Sequence, residues 1–257
     1  MNEPLLKVLS LSVGYTTPLF PPIDTELYSG EVTALLGENG IGKSTLLKTL
    51  SGELKPLSGK VKIYGEDIDR ISRKNLSRKL AIVTTDTTGA GGLTVYQTVA
   101  LGRHPHTGFM GKLTATDRDI IQRSMDETGI SFKADAYFAH ISDGEKQKTL
   151  IARALAQETP IILLDEPFSF LDTASRIEIL SLLRKIARDK DRAILFSSHD
   201  VSQALRMSSS IWLMTHSRRF VRGTPDELIQ TSLISEMFNR KGIMFDPEQN
   251  DFIGQFK

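Results

Sequence analysis

The order of apolar and polar positions divides the chain into short strands and amphipathic helices. Leu5-Leu-Lys-Val-Leu-Ser-Leu-Ser12 alternates in part and predicts a strand, followed by Gly14-Tyr15 and a turn carrying Pro18, Pro21 and Pro22. Glu31-Val-Thr-Ala-Leu-Leu36 predicts a second strand. Leu46, Leu47 and Leu50 then recur at the spacing of a helix face. Ser58-Gly59 turns into the alternating strand Lys60-Val-Lys-Ile-Tyr64, and Gly65-Glu-Asp67 is expected to begin a turn. A short basic helix leads into Leu80-Ala-Ile-Val83, and its cluster Arg70, Arg73, Lys74, Arg78 and Lys79 reads as a solvated face.

Thr85 to Gly92 is poor in apolar residues and is expected to be a mobile loop. From Leu93 to about Ile141 the pattern becomes helical. Thr116 ahead of Asp117 and Asp119 reads as a helix start, Ile120, Ile121 and Met125 mark its apolar face, and Gly129 is its stop. Ser142 followed three residues later by Glu145 is a capping box, with Leu150, Ile151, Ala154 and Leu155 behind it. Ile161-Ile-Leu-Leu164 and Ala193-Ile-Leu-Phe196 are unbroken apolar runs, expected to be strands covered on both faces. A helix from about Ser175 to Arg188 joins them, so the unit is β-α-β and the sheet parallel. Ile211 to Met214 and Arg219 to Arg222 predict a hairpin. Thr224-Pro225-Asp226-Glu227 starts a helix, and Leu233, Ile234, Met237 and Phe238 suit one more. The tail from Gly242 to Lys257 carries no readable chemistry.

The composition narrows the class. Apolar residues make up 40% and charged residues 25% of 257 positions, as in an ordinary globular protein. No aliphatic run approaches the ~20 residues of a membrane span. The start lacks the marks of a secretory signal, and there is no cysteine, so disulfides and thiolate metal sites are excluded. Both features suit the cytoplasm. A net charge of +1 argues against a dedicated nucleic-acid binder.

The candidate chemistry is concentrated in three places. Gly37-Glu-Asn-Gly-Ile-Gly-Lys-Ser-Thr45 fits the phosphate-loop pattern between a strand and a helix. Glycines 37, 40 and 42 let backbone N–H groups converge on a triphosphate, and the helix beginning near Lys43 adds its positive end. Lys43 is expected against the β- and γ-phosphates and Ser44 on Mg2+. At the end of the apolar strand Ile161-Ile-Leu-Leu164, Asp165 is expected to hold Mg2+ through water and Glu166 to polarise an attacking water. His199, after the next strand, is expected to touch the γ-phosphate and hold that water in line. The Tyr15 ring either stacks on a purine or packs at the strand end.

Taken in order, these motifs resemble the ATP-binding cassette ATPases over about residues 3 to 240. That resemblance implies an α/β fold with a phosphate-loop NTPase, RecA-like parallel-sheet core, an antiparallel N-terminal β subdomain and a helical insertion at about 90 to 155. Residues 3–240 would be one domain and 241–257 a tail. Gly37, Glu38, Asn39, Gly40, Gly42, Lys43, Ser44 and Thr45 match the first nucleotide motif and Ile161 to Glu166 the second. Tyr15 fits the adenine-stacking position. Ile141-Ser-Asp-Gly-Glu145 stands where the signature L-S-G-G-Q belongs, Leu171-Asp172 resembles the D-loop, and His199 the switch histidine. The implied assembly is a head-to-tail homodimer. In it, Ser142, Asp143, Gly144 and Glu145 of one copy close over ATP held by the other, on membrane permease subunits served by a substrate-binding protein.

Asp143 and Glu145 depart from the signature. A carboxylate ~4 Å from a phosphate charge costs ~4 kcal/mol at an effective dielectric of 20, so Asp143 is expected to point away, as a helix cap. The glutamine usual after the Val83 strand is replaced by Thr84-Thr85-Asp86, and either Thr85 or Asp86 is assigned its contact with Mg2+. Leu93-Thr-Val95 and Ala100-Leu-Gly-Arg-His-Pro105 with Gly108 look like importers of iron-siderophore, haem or cobalamin. Arg103 and its neighbours are then the candidates for permease contact, while His104 and His106 read as merely polar. The alternative, a cassette ATPase of nucleic-acid maintenance or translation, is disfavoured. The interval from Ser44 to Ser142 is too short for long coiled coils and has no heptads, and there is one cassette where translation members usually carry two.

Overall fold

The computed structural model describes residues 3–84, 92–108, 110–169, 171–231, 233–238 and 243–254. Thr85, Asp86 and the rest of the loop expected there, except Gly92, lie outside these residues.

Strands β1 (Leu6–Ser12), β2 (Ile23–Leu27), β4 (Ser58–Ile63) and β5 (Glu66–Asp67) form an antiparallel sheet in the order β2-β1-β4-β5. The turn expected over Gly65 to Asp67 therefore closes early, at Tyr64-Gly65, and the next two residues pair with β4. The second sheet has the order β10-β9-β3-β8-β7-β6, from β3 (Val32–Leu36), β6 (Leu80–Val83), β7 (Ile161–Leu164), β8 (Ala193–Ser198), β9 (Ser210–Met214) and β10 (Phe220–Gly223). Its strands are parallel except β10, the return arm of the expected hairpin.

The unbroken apolar strands are explained by what lies on each side of this sheet. Ala34, Leu36, Ile162, Leu164, Ile194 and Phe196 enter one core, and the alternate residues Leu35, Ile161, Leu163, Ala193 and Leu195 enter another. The second core is closed by the antiparallel sheet and by α1 (Lys43–Leu50), whose Leu46, Leu47 and Leu50 are buried there. The short α2 (Arg73–Leu76) precedes β6. The first core is closed by α3 (Val95–Ala100), α4 (Ala115–Thr128) and α5 (Asp143–Ala156) of the helical insertion, and by α6 (Thr173–Asp189) and α7 (Val201–Met207). Two cores back to back require a sheet apolar on both faces, which is the pattern of these strands.

Helix α4 starts two residues earlier than a cap at Thr116 suggests. Thr114 is its cap, and the Asp117 carboxylate returns to the Thr114 N–H and hydroxyl at 2.9 and 2.7 Å. A left-handed Gly129 ends it as expected. Helix α6 starts at an Asp172 cap and α8 (Pro225–Ile229) at Thr224; the segment around Ile234 closes as a 3-10 turn, Ser235–Phe238. Two elements were not anticipated. One is β2, whose Ile-Asp-Thr-Glu-Leu does alternate; the other is a hairpin of β11 (Ile243–Asp246) and β12 (Asp251–Gly254) in the tail, closed by a Phe245–Phe252 ring contact. Among the described residues no helix is long and apolar enough to cross a membrane.

Candidate nucleotide site

The sheet delivers three loops to one end of parallel strands, where ligand sites of open α/β sheets collect. After β3, Gly37 donates to the Ser198 carbonyl at the end of β8 (3.3 Å), which ties the phosphate loop to the neighbouring strand. A Cβ at Gly37 would lie 2.9 Å from Ile41 Cγ2 and 3.1 Å from the Met214 carbonyl oxygen, so the backbone approaches β9 more closely than a side chain permits. Gly42 has φ 114° and caps α1, a conformation that favours glycine. Behind it the helix presents its unpaired N–H groups.

Asn39, Gly40, Gly42, Lys43, Ser44, Thr45, Asp165, Glu166 and Ser169 line one cavity of about 470 Å³. Lys43, only 5% exposed, donates through Nζ to the carbonyls of Gly37 (2.8 Å) and Glu38 (3.2 Å) and pairs with Glu166 Oε1 at 3.2 Å. The other Glu166 oxygen accepts from the Ser169 hydroxyl (3.0 Å) and meets His199 Nδ1 at 3.1 Å. Glu166 itself has φ 45°, a strained backbone for a side chain with a Cβ. Its N–H donates to Ser197 Oγ (2.7 Å), and that hydroxyl donates to Asp165 Oδ1 (2.7 Å). Burial pushes the Glu166 carboxyl up, but the charges of Lys43 and His199 and the Ser169 bond outweigh it, leaving the group below its ordinary range. The carboxylate is therefore ionised at neutral pH and can accept a proton.

Ser169 and Ser197 were not singled out from sequence. Ser197 follows the apolar run of β8, and a hydroxyl at a strand's carboxyl end was the available signal. Glu38, expected at the nucleotide as part of the loop motif, pairs with His216 on the β9–β10 turn. Asp165 and the Ser44 hydroxyl face the same cavity as hard oxygen donors, the kind Mg2+ prefers. Among the described residues there is no cluster of three or more His, Cys, Asp or Glu that would make an all-protein cage. That donor set fits an ion held by one carboxylate, one hydroxyl and phosphate oxygens.

The other expected site residues lie apart from this cavity. The Tyr15 ring is 67% exposed, so the alternative of a ring packed into the strand end is not what the structure contains. Ser142 caps α5; its hydroxyl accepts the Glu145 N–H (3.3 Å), while Glu145 Oε2 accepts the Ser142 N–H (2.9 Å) and hydroxyl (3.0 Å). The backbone and hydroxyl bonds from Ser142, helped by Lys133 at 3.5 Å, hold the Glu145 carboxyl low against its partial burial. Asp143 is not the cap. It is the first helical residue, exposed and paired with Lys146 at 3.0 Å. A Cβ on Gly144 would lie 3.2 Å from Ser175 Oγ, which sets the signature beside the start of α6, where the Asp172 carboxylate accepts the Ser175 N–H.

Arg103 is a second correction. It is 5% exposed, with Nε on Asp117 (2.9 Å) and Nη1 on the Ala156 carbonyl (2.7 Å) and Glu158 (2.8 Å). A side chain so enclosed is no surface contact; it locks the start of α4 to the end of α5.

A phosphate loop on a doubly covered parallel sheet, with a carboxylate pair at the end of β7 and a helical insertion between them in sequence, defines a phosphate-loop ATPase of the cassette type. A family model described as ABC transporter matches residues 20–169. An uncharacterized ABC transporter ATP-binding protein of Methanocaldococcus jannaschii is 38% identical over 254 residues, covering 98% of this chain and 86% of that protein. An achromobactin transport ATP-binding protein of Dickeya dadantii is 36% identical over 230 residues, 89% of this chain and 86% of that one. A solved chain assigned to a metal-chelate type ABC transporter in an inward-facing conformation superimposes with a TM-score of 0.83 at 27% identity, covering 99% of this chain and 97% of that chain. The chain belongs to the ABC transporter family and is an ATP-binding subunit with ATPase function.

Proposed function

We propose that this chain powers an importer of a metal chelate, an iron-siderophore or haem complex, or of cobalamin, working as a homodimer on the cytoplasmic face of permease subunits fed by a substrate-binding protein. The Glu166 carboxylate, joined to Lys43 on one side and His199 on the other at the edge of the phosphate-loop cavity, is the observation that carries this reading. The transport role of the Dickeya relative and the metal-chelate type of the structural relative support the importer class.

In this reading the loop N–H groups and Lys43 hold the β- and γ-phosphates, and Tyr15 stacks on the adenine. Ser44 and Asp165 would hold Mg2+, which when bound neutralises phosphate charge. Glu166 takes the proton of the attacking water, and His199 keeps that water and the γ-phosphate in line. Ser142 and the N-terminus of α5 in one copy face the triphosphate of the other, with Asp172 at the seam, so one chain holds two half-sites. Nucleic acid has no part in it.

The test is Glu166→Gln. It is expected to keep ATP affinity and to lose turnover by roughly 100- to 10,000-fold, the range of a general base. Turnover within a factor of a few of the parent would remove Glu166 as the base.

A further inference from the structure

Glu166 borders two cavities. Besides the phosphate-loop cavity it lines a smaller hollow of about 60 Å³, at the starts of α6 and α7, together with Ser169, Arg176, His199, Asp200 and Gln203. Most of the polar wall of this hollow is already bonded. Ser169 and His199 both meet Glu166 Oε2, at 3.0 and 3.1 Å. One Asp200 oxygen caps α7 by accepting the Gln203 N–H (2.9 Å), and the other stands 3.6 Å from Arg176 Nη1. Arg176 Nε in turn donates to the Leu171 carbonyl at 2.9 Å.

The exception is the Gln203 side chain. Its amide oxygen Oε1 is shut off from solvent and has no hydrogen-bond partner among the described residues. A buried acceptor left unmade is costly, and an apolar side chain of the same length would avoid that cost, so the fold alone does not account for the amide. The hollow is large enough for at least one water. Its wall also offers the two to four polar partners a buried water needs: the Gln203 oxygen, the Glu166 and Asp200 carboxylates, and the Arg176 guanidinium. A water both donates and accepts, so it satisfies this amide whichever end faces it.

We infer that this hollow is an ordered-water site, and that Gln203 is a positioning residue which, through that water, holds Glu166 and His199 set for attack on the γ-phosphate. The water donates to Gln203 Oε1 and to a carboxylate of the wall, and accepts from the Arg176 guanidinium. Among the described residues the His199 ring has no hydrogen-bond partner but Glu166, and it stands one residue before the α7 cap. A catalytic side chain held by a single bond needs a fixed group behind it, and the water anchored on α7 is that group. The inference rests on the reading of Glu166 as the base and adds to it a residue from the next helix.

The experiment uses the full chain. Gln203→Met keeps the length of the side chain and removes the amide; steady-state ATPase is measured across ATP concentrations, beside crystal structures of parent and variant that resolve ordered water. The parent is expected to show a water within hydrogen-bond reach of the Gln203 amide, and Gln203→Met to lack it. In the variant kcat should fall roughly tenfold, the size of a small misplacement of catalytic groups, while KM for ATP stays within about twofold and the melting temperature does not drop. Gln203→Glu, which keeps an acceptor oxygen in place, should recover most of the lost kcat. A parent hollow without water at Gln203 overturns the inference, as does parental kcat in Gln203→Met or an equal loss in Gln203→Glu. A lower melting temperature of Gln203→Met overturns it too, because the glutamine would then serve the fold. Glu166→Gln, run alongside, separates the premises: parental turnover there removes the base and this inference with it, whereas an inactive Glu166→Gln beside a fully active Gln203→Met overturns this inference alone.

Discussion

Among the described residues, two ion-pair clusters are built from similar groups for different ends. Around Arg103, the guanidinium, Asp117, Glu158 and the Thr114 cap satisfy one another, and Asp117 is held at a pKa of about 2, first by the Thr114 hydroxyl and N–H and then by Arg103. Around Glu166, a cation, a histidine and a hydroxyl share one carboxylate that sits on a strained backbone, beside a cavity large enough for phosphates. The first cluster is closed and serves stability. The second is open on one side and can exchange a protein partner for a ligand, which is what a reaction site requires.

Breaking the closed cluster should produce the largest effect. Arg103→Ala leaves a buried carboxylate without its cation and is expected to lower the unfolding free energy by about 3–5 kcal/mol, read by denaturant unfolding, while ATP affinity of the folded fraction holds. Acid should attack the same cluster next. Because the folded pKa of Asp117 lies below its ordinary 3.8, its contribution is present above that pH and is lost as pH falls toward about 2. The loss is roughly 2 kcal/mol, and Thr114→Ala, which removes the first cause of the shift, should flatten that acid limb. In the open cluster the effects move to function. Lys43→Ala should weaken ATP binding at least tenfold, about 1.4 kcal/mol, with little change in melting temperature. Ser169→Ala, losing one bond to Glu166, should cost under about 1 kcal/mol in stability and slow turnover a few-fold. A large stability loss from Lys43→Ala would erase the distinction between the two clusters.

What was legible in the sequence is what the chain specifies locally. The phosphate loop lies within nine consecutive residues, the Ser142–Glu145 box within four, and the β9–β10 hairpin around one turn. The apolar runs of β7 and β8 announced a doubly covered sheet because both faces demand the same residue type. Contacts set across long stretches were not legible. Arg103 looked like a surface cation because Asp117 and Glu158 are brought to it only by the packing of α4 and α5. Thr116 and Thr114 are both plausible caps by residue type, and the reach of Asp117 back to the first threonine of the Thr-Ala-Thr decides between them. The tail hairpin was missed because Asp246 and Asn250 bracket a short turn that reads as polar and featureless.

The central claim is that each copy holds two half-sites which only a second copy completes. Light scattering on the size-fractionated Glu166→Gln variant with Mg2+ and ATP tests it most directly. The account predicts a dimer that forms with ATP, dissociates when ATP is withdrawn, and fails to form when Ser142→Arg is added. A Glu166→Gln chain that binds ATP yet remains a monomer at every accessible concentration would contradict it.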